Sequence, residues 1–144
     1  MKNILVIHGP NLNLLGERET EIYGSQNLAE INGLIEERAA AHDIECRFFQ
    51  SNHEGEILDT IHENRTWMDG HIINPGALSH TSIALLDALS ALPCPIIEVH
   101  LSNIYKRESF RHRSYISQVV TGGIFGLGSY GYLVAVDVLK ERLL

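Results

Sequence analysis

Cysteine occurs only twice in 144 residues, and Cys46 and Cys94 lie too far apart for a paired metal-ligand spacing. A multi-bridge disulfide scaffold and a cysteine-based zinc site are therefore excluded. Both cysteines sit in or beside apolar runs, so two buried, reduced thiols are expected, with a single bridge as the alternative. Positive charge is also scarce, with 11 Lys and Arg against 18 Asp and Glu and a net charge of −7. A binder of nucleic acid would need a basic face, so that class is excluded, whereas a small acidic ligand held by one local Arg is not. No apolar run approaches the ~20 residues of a membrane span, and the run that stops at His8 is too brief for a signal sequence. A cytoplasmic protein with neither membrane nor nucleic-acid partners is expected. His53-Glu54 and the scattered histidines lack the zinc-protease spacing, so no metal is expected. There is no G-x-S-x-G elbow, G-x-G-x-x-G fingerprint or P-loop.

What remains is ordinary, with 44% hydrophobic and 20% charged residues. That composition fits a single domain over 1–144, long enough to fold without staples. Short β-branched runs alternate with longer helical patterns, as in βαβ units around a parallel sheet. Ile4–Ile7 lacks polar alternation and reads as a strand buried on both faces. Gln26 to about Ala41 carries Leu28, Ile31, Leu34 and Ile35 on one helical stripe. Ile44–Phe49 is a second strand, followed by a helix through Ile57, Leu58 and Ile61. His71–Ile73 is the third strand, and Ser79–Leu92 the next helix, with Ser79 as its N-cap. Ile96–Val99 is the fourth strand, Ile116–Val120 a weaker fifth, and Tyr132–Leu144 the closing helix. The expected fold is α/β, a flavodoxin-like three-layer sandwich with a five-stranded parallel sheet. The Gly-rich stretch from Gly122 to Gly128 reads as close backbone packing.

In such folds ligands bind beyond the carboxyl ends of the strands, near the point where strand order reverses. Three polar loops then converge, at Gly9-Pro10-Asn11, Asn74-Pro75-Gly76 and His100-Leu101-Ser102-Asn103. Glu98 and His100 flank Val99, so strand periodicity puts both side chains on one face, where a carboxylate orients the imidazole and favours its charged form. The pair serves equally as a buried stabilising contact or as a catalytic dyad, and its position at a strand's carboxyl end favours the second. The polar segment from Asn11 to Gly24 is long for a connection and has no obvious regular element, as in a lid. Within it, Arg18 beside Tyr23 would favour the phenolate and make a usable base. The plainer alternative is a tyrosine that packs the segment shut. Arg107, Arg111, His112 and Arg113 form a basic cluster, either a solvated face or a clamp for a carboxylate or hydroxyls.

Gly9-Pro10-Asn11-Leu12-Asn13-Leu14-Leu15-Gly16, Arg18-Glu19 and Tyr23-Gly24 together resemble the opening of type II 3-dehydroquinate dehydratases. The resemblance continues through Gln50-Ser51-Asn52-His53-Glu54-Gly55, Asn74-Pro75-Gly76-Ala77, His80-Thr81-Ser82, Glu98-Val99-His100, Ser102-Asn103, Phe110-Arg111 and Gly131-Tyr132. It covers essentially the whole chain in order. Thr20 stands where that family usually has Pro, Leu86 where Arg is common, and Arg113 where His is common. Thr20 bears on the lid and Leu86 on a subunit contact, and none of the three is catalytic by resemblance.

The resemblance implies a cofactor-free hydro-lyase that removes water from 3-dehydroquinate through an enolate, in the shikimate pathway or in quinate breakdown. It makes Tyr23 the proton acceptor, Arg18 the group that favours its phenolate, and His100, oriented by Glu98, the proton donor. Asn11 would hold a water against the enolate oxygen. Asn74, Ser102 and the backbone at Leu101 would bind the carboxylate. His80, Arg111 and a neighbouring subunit's Asp87 would recognise the ring hydroxyls, in a homododecamer built as a tetramer of trimers. Two other classes suit the fold. A flavin or nucleotide module would need a phosphate-cradling first loop, where Pro10, Leu12 and Leu14 stand instead. A non-catalytic scaffold would leave Arg18, Tyr23, His80 and His100 without a purpose.

Overall fold

The computed structural model describes residues 1–144. Five strands, β1 (Lys2–His8), β2 (Ile44–Gln50), β3 (Gly70–Asn74), β4 (Ile96–His100) and β5 (Gly122–Phe125), form one sheet in the order β2-β1-β3-β4-β5. Every neighbouring pair is parallel. This is the flavodoxin-like order, with its reversal between β1 and β3.

The β-branched run at the start of the chain feeds both sides of the sheet. Ile4 and Val6 pack into one core with α2 (Leu28–Ala40) and α5 (Tyr130–Leu143). Leu5 and Ile7 pack into the other with α3 (Glu54–Asn64) and α4 (Ile83–Ser90). Numbered in chain order, α1 is the short helix Thr20–Tyr23. The three layers are therefore α2 and α5, the sheet, and α3 and α4. On α2 the buried stripe is Ile31, Ile35 and Ala39, while Leu34 is on the exposed side.

Three expectations are corrected. Ile116–Val120 is not a strand: Ile116–Gln118 is a 3₁₀ turn, and the edge strand is the Gly-containing β5. Gly122 and Gly123 have no side chain to declare a strand pattern, so the β-branched residues before them drew the assignment forward. The helix expected from Ser79 starts later. Gly76–His80 is a 3₁₀ turn, and Ser82 caps α4 by accepting a hydrogen bond from the Leu85 amide. Ser79 instead donates its hydroxyl to the Gly76 carbonyl. Finally, the segment Asn11–Gly24 holds two regular turns, the 3₁₀ turn Leu12–Leu14 and α1.

Parallel register lines up the strand ends that matter. His8 pairs with both Gln50 and Asn74, and His100 pairs with Phe125. The polar residues that end β1, β3 and β4 thus share one edge of the sheet.

Candidate active site

Two glycines fix how the first and third loops cross. A Cβ on Gly9 would lie 2.4 Å from the Pro75 carbonyl oxygen, and one on Gly76, which has φ +58°, would lie 3.0 Å from that of Pro10. Only backbone can pass backbone at that separation. The Gly9 amide then donates to the Asn74 carbonyl at 2.8 Å, locking β1's exit to β3's. From the β2 side, Gln50 donates to the Gly9 carbonyl, and the Asn52 side chain accepts from the Asn11 amide. Asn11 itself takes a left-handed conformation (φ 70°), which suits an Asn at a sharp turn.

Beyond these crossed loops lies a cavity of about 120 Å³. That is well below the ~300–1,000 Å³ of pockets for drug-sized ligands, so a compact polar molecule fits better than a nucleotide. Asn11, Arg18 and Tyr23 line it from the first connection. Asn74 and His80 line it from the third, and His100, Leu101, Ser102 and Arg111 from the fourth. Glu98 stands behind His100. Of the residues expected to form a site, Asp87 alone lies away, exposed on α4 and outside this cavity.

His100 and Glu98 form the buried half. Glu98 is 2% exposed and His100 is 8% exposed, and His100 Nε2 donates to Glu98 Oε2 at 2.6 Å. Burial by itself works against a charged Glu98. Hydrogen bonds from His100, Ser117 and Ser114 outweigh it and hold the carboxyl below its ordinary pKa. Ser114 donates to Oε2 and Ser117 to Oε1. With Nε2 committed to Glu98, Nδ1 is the nitrogen of His100 left for another partner.

His80 stacks beside His100, with ring centroids 6.3 Å apart. Its Nδ1 donates to the Arg113 carbonyl at 2.7 Å. Burial is the main cause that lowers its pKa, assisted by His100 and Arg111, so His80 favours its neutral form. Arg111 is held by Glu108 at 2.6 Å, and this contact is the main cause of the lowered Glu108 pKa.

Tyr23 is half-buried on α1, and two guanidiniums face its ring. The Arg18 carbon lies 4.9 Å from the ring centroid and that of Arg107 5.3 Å. Arg18 also pairs with Glu19 at 2.7 Å. Arg107 donates to the Ser102 hydroxyl at 3.2 Å, tying Tyr23's surroundings to the fourth loop.

Sequence reasoning set Arg107 within a basic cluster without choosing it as a site residue. The four-residue gap to Arg111 was the available signal, and both line the cavity. Arg113 enters through its backbone carbonyl, with its guanidinium over the Tyr115 ring instead. Ser114 and Ser117 carried no signal, since they reach Glu98 only through the fold. Chemically, the cavity sets a phenol flanked by cations against a buried imidazole–carboxylate pair, with amide, hydroxyl and guanidinium donors around them. That is the equipment for removing one proton and delivering another to a bound anion or polyol. No group of three or more His, Cys, Asp or Glu side chains converges as a metal cluster would.

Residues 2–140 match the family model described as class II dehydroquinase. A 3-dehydroquinate dehydratase from Halothermothrix orenii is 58% identical over 139 residues, covering 96% of this chain and 94% of the relative. One from Ralstonia pickettii is 53% identical over 143 residues, covering 99% and 92%. Among solved structures, a type II dehydroquinase from Butyrivibrio crossotus superposes with a TM-score of 0.94 at 47% identity, covering 96% of this chain and 97% of the other.

Proposed function

Because the chain belongs to the class II dehydroquinase family, we propose that the cavity is its active site, with Tyr23 and His100 as the two proton-transfer groups. The activity is that of a 3-dehydroquinate dehydratase, a hydro-lyase of the shikimate pathway that converts 3-dehydroquinate into 3-dehydroshikimate and water. The observation that carries our assignment of roles is one cavity lined by a cation-flanked phenol and a buried imidazole–carboxylate pair.

In this reading Tyr23, as phenolate, takes the C2 proton of the substrate. The C–H electron pair moves into the adjacent carbonyl to form an enolate, and Asn11 holds a water against the developing oxyanion. Arg18 and Arg107 supply positive charge where the phenolate must form, an electrostatic arrangement that costs no reorganisation during the reaction. Collapse of the enolate then breaks the C1–O bond. His100 Nδ1 protonates the departing hydroxyl, which leaves as water, while Glu98 holds the imidazolium in place. Each proton-transfer group contributes on the order of 10²–10⁴-fold. Asn74, Ser102 and the backbone at Leu101 bind the substrate carboxylate, and His80 and Arg111 recognise ring hydroxyls.

Residues 1–144 act in this reading as one catalytic domain, with 11–24 as a lid over the cavity. No cofactor or metal takes part. The protein works in the cytoplasm, a reducing compartment suited to free Cys46 and Cys94; burial, with Glu36 and Glu45 nearby, pushes the Cys46 thiol up to about 12. The assembly is a homododecamer of four trimers, in which Asp87 of the partner subunit reaches the ring hydroxyls. An exposed acid on α4, away from its own chain's cavity, is what such sharing requires.

Two experiments test these statements. Absorbance of the conjugated enone should rise when pure protein meets 3-dehydroquinate, and its absence would remove the assigned roles. Mixing inactive Tyr23→Phe chains with inactive Asp87→Asn chains should restore about one site in four if each site draws the two residues from different chains. No recovery after confirmed reassembly would place Asp87 in its own chain's site or outside any site.

A further inference from the structure

Four polar side chains from four elements cross the otherwise apolar core beneath α2 and α5. Asn32 on α2, His8 at the end of β1, Tyr132 on α5 and Asn74 at the end of β3 form a continuous line of hydrogen bonds. His8 and Tyr132 are fully buried, and neither lines the cavity, which Asn74 does. The residues around them are Ile, Leu, Val and Ala. Apolar side chains would fill the same space at less risk, because an unpaired polar group there is costly.

The Gly76 amide at one end and the Asn32 oxygen at the other set the direction of these bonds. The Asn74 carbonyl oxygen accepts from the Gly76 amide at 3.1 Å, which identifies the other end of that side chain as NH₂. This NH₂ donates to the Tyr132 oxygen at 3.0 Å. At the far end, Asn32 Oδ1 lies 2.7 Å from His8 Nε2. A carbonyl oxygen only accepts, so Nε2 carries the hydrogen. Burial lowers the His8 pKa to about 4, so the ring is neutral and Nδ1 is a bare acceptor. The Tyr132 hydroxyl, 3.0 Å away, must donate to it. Burial also raises the Tyr132 pKa, keeping that proton on. Every bond then points one way, from Asn74 through Tyr132 and His8 to Asn32. Reversing any one of them would set two donors or two acceptors face to face.

We propose that Tyr132, His8 and Asn32 are positioning residues, a one-way relay that holds the Asn74 amide with a hydrogen free for the substrate carboxylate. The relay rests on the reading of Asn74 as a substrate-binding group. The Asn74 NH₂ spends one hydrogen on Tyr132 and keeps the other. A flipped amide would turn an oxygen on an anionic group and repel it. The Gly76 amide holds the oxygen end and the relay gives the NH₂ end its acceptor, so together they fix the sign of the charge that Asn74 presents.

Steady-state kinetics with 3-dehydroquinate test this. A carboxylate contact made equally in ground and transition states shows in KM and leaves kcat unchanged. Tyr132→Phe keeps the ring and removes the hydroxyl, so KM should rise about tenfold, the scale of one hydrogen bond to a charged group, with kcat within about twofold. In an Asn74→Ala background the same change should leave KM within about twofold, because the relay acts only through Asn74. A folded Tyr132→Phe enzyme with unchanged KM overturns the relay, and so does a full tenfold effect that persists without Asn74. If Tyr132→Phe fails to assemble, the half-buried Asn32→Ala carries the same test. It should raise KM about threefold, again only when Asn74 is present, and an unchanged KM overturns the relay. A wild-type protein that forms no enone removes the substrate reading and the relay with it, whereas an active wild type with a silent Tyr132→Phe removes the relay alone.

Discussion

Glu98 and His100 sit on β4 between two packed helix layers, with three donors on one carboxylate. Tyr23, across the same cavity, rides on a four-residue helix and is held by an ion pair at the surface and two cation–ring contacts. The magnitudes differ accordingly. An exposed ion pair contributes about 0–1 kcal/mol and an exposed cation–π contact about 0.5–1 kcal/mol. Breaking one partner of a buried ion pair costs about 3–5 kcal/mol. The half proposed as proton donor is therefore built into the sheet, while the half proposed as acceptor is held by contacts weak enough to part. That division suits the chemistry. In the proposed mechanism the imidazole has to be held in place before substrate arrives, whereas the segment that carries Tyr23 has to move aside to admit it. Anchors for the weaker half lie at its root, where Leu12 and Leu15 are buried in the core below α2.

The largest effect should come from the weakly held half. Tyr23→Phe keeps the ring that both guanidiniums face and removes only the oxygen. Turnover should fall by about 10²–10⁴-fold, the range for a lost general base. KM should stay within a few-fold, and the thermal midpoint should barely move. Retention of more than about a tenth of wild-type kcat would assign the base to another residue.

The same contrast governs how much could be read from the sequence. The sheet-borne half was legible because period two makes Glu98 and His100 neighbours by arithmetic, and their hydrogen bond follows. The ends of β1 and β3 were legible for a similar reason, since Gly9-Pro10-Asn11 and Asn74-Pro75-Gly76 interrupt apolar runs sharply. Less was visible where side chains give no pattern. β5 was placed too early because its first two residues are glycines, and α4 was started too early because Ser79 and Ser82 are equally good caps on composition. Arg18 and Tyr23 stood out within their segment as well as by resemblance, yet nothing local put Arg107 beside the same ring. The line from Asn32 to Asn74 was invisible in principle. Its members are 24, 124 and 58 positions apart along the successive bonds, and only the completed fold brings them together.

The sheet should also be the part that acid attacks first. Burial lowers the pKa of both His8 and His71 to about 4. Their unfolded value is 6.5, so between pH 6.5 and 4 the unfolded chain binds protons that the native chain refuses. Stability is then full above pH 6.5, falls as pH drops toward 4, and levels off below. Each histidine accounts for roughly 3 kcal/mol by about pH 4. Glu98 acts in a lower window. Its pKa is depressed below 4.5, so its contribution is lost only as pH falls through the folded value. Thermal midpoints measured between pH 7.5 and 4.5 should decline with a slope approaching two protons. A flat profile from 6.5 to 5 would mean that the two rings find proton partners in the native state.

The smallest effect, and the sharpest probe of the donor half, concerns the serines on Glu98. Ser117 is the only donor recorded on Oε1, whereas Ser114 shares Oε2 with His100. Removing the Ser117 hydroxyl leaves a buried carboxylate oxygen unpaired, and burial then favours the protonated acid. A less anionic Glu98 is a poorer acceptor for the His100 N–H. A carboxyl whose pKa has risen is neutralised first toward acid, so the loss should grow as pH falls. Ser117→Ala should lower kcat about three- to tenfold at pH 6 and less at pH 8, with KM unchanged. Ser114→Ala should do less, because His100 still donates to the oxygen that Ser114 vacates. The Tyr23 half offers a control, since neither serine touches Arg18, Arg107 or Tyr23, and the alkaline side of the profile should stay in place. A parallel fall at pH 6 and pH 8 would mean that the serines hold the backbone of the 112–118 segment rather than the charge on Glu98. The donor half would then owe its rigidity to packing, and its electrostatics to the Glu98–His100 contact alone.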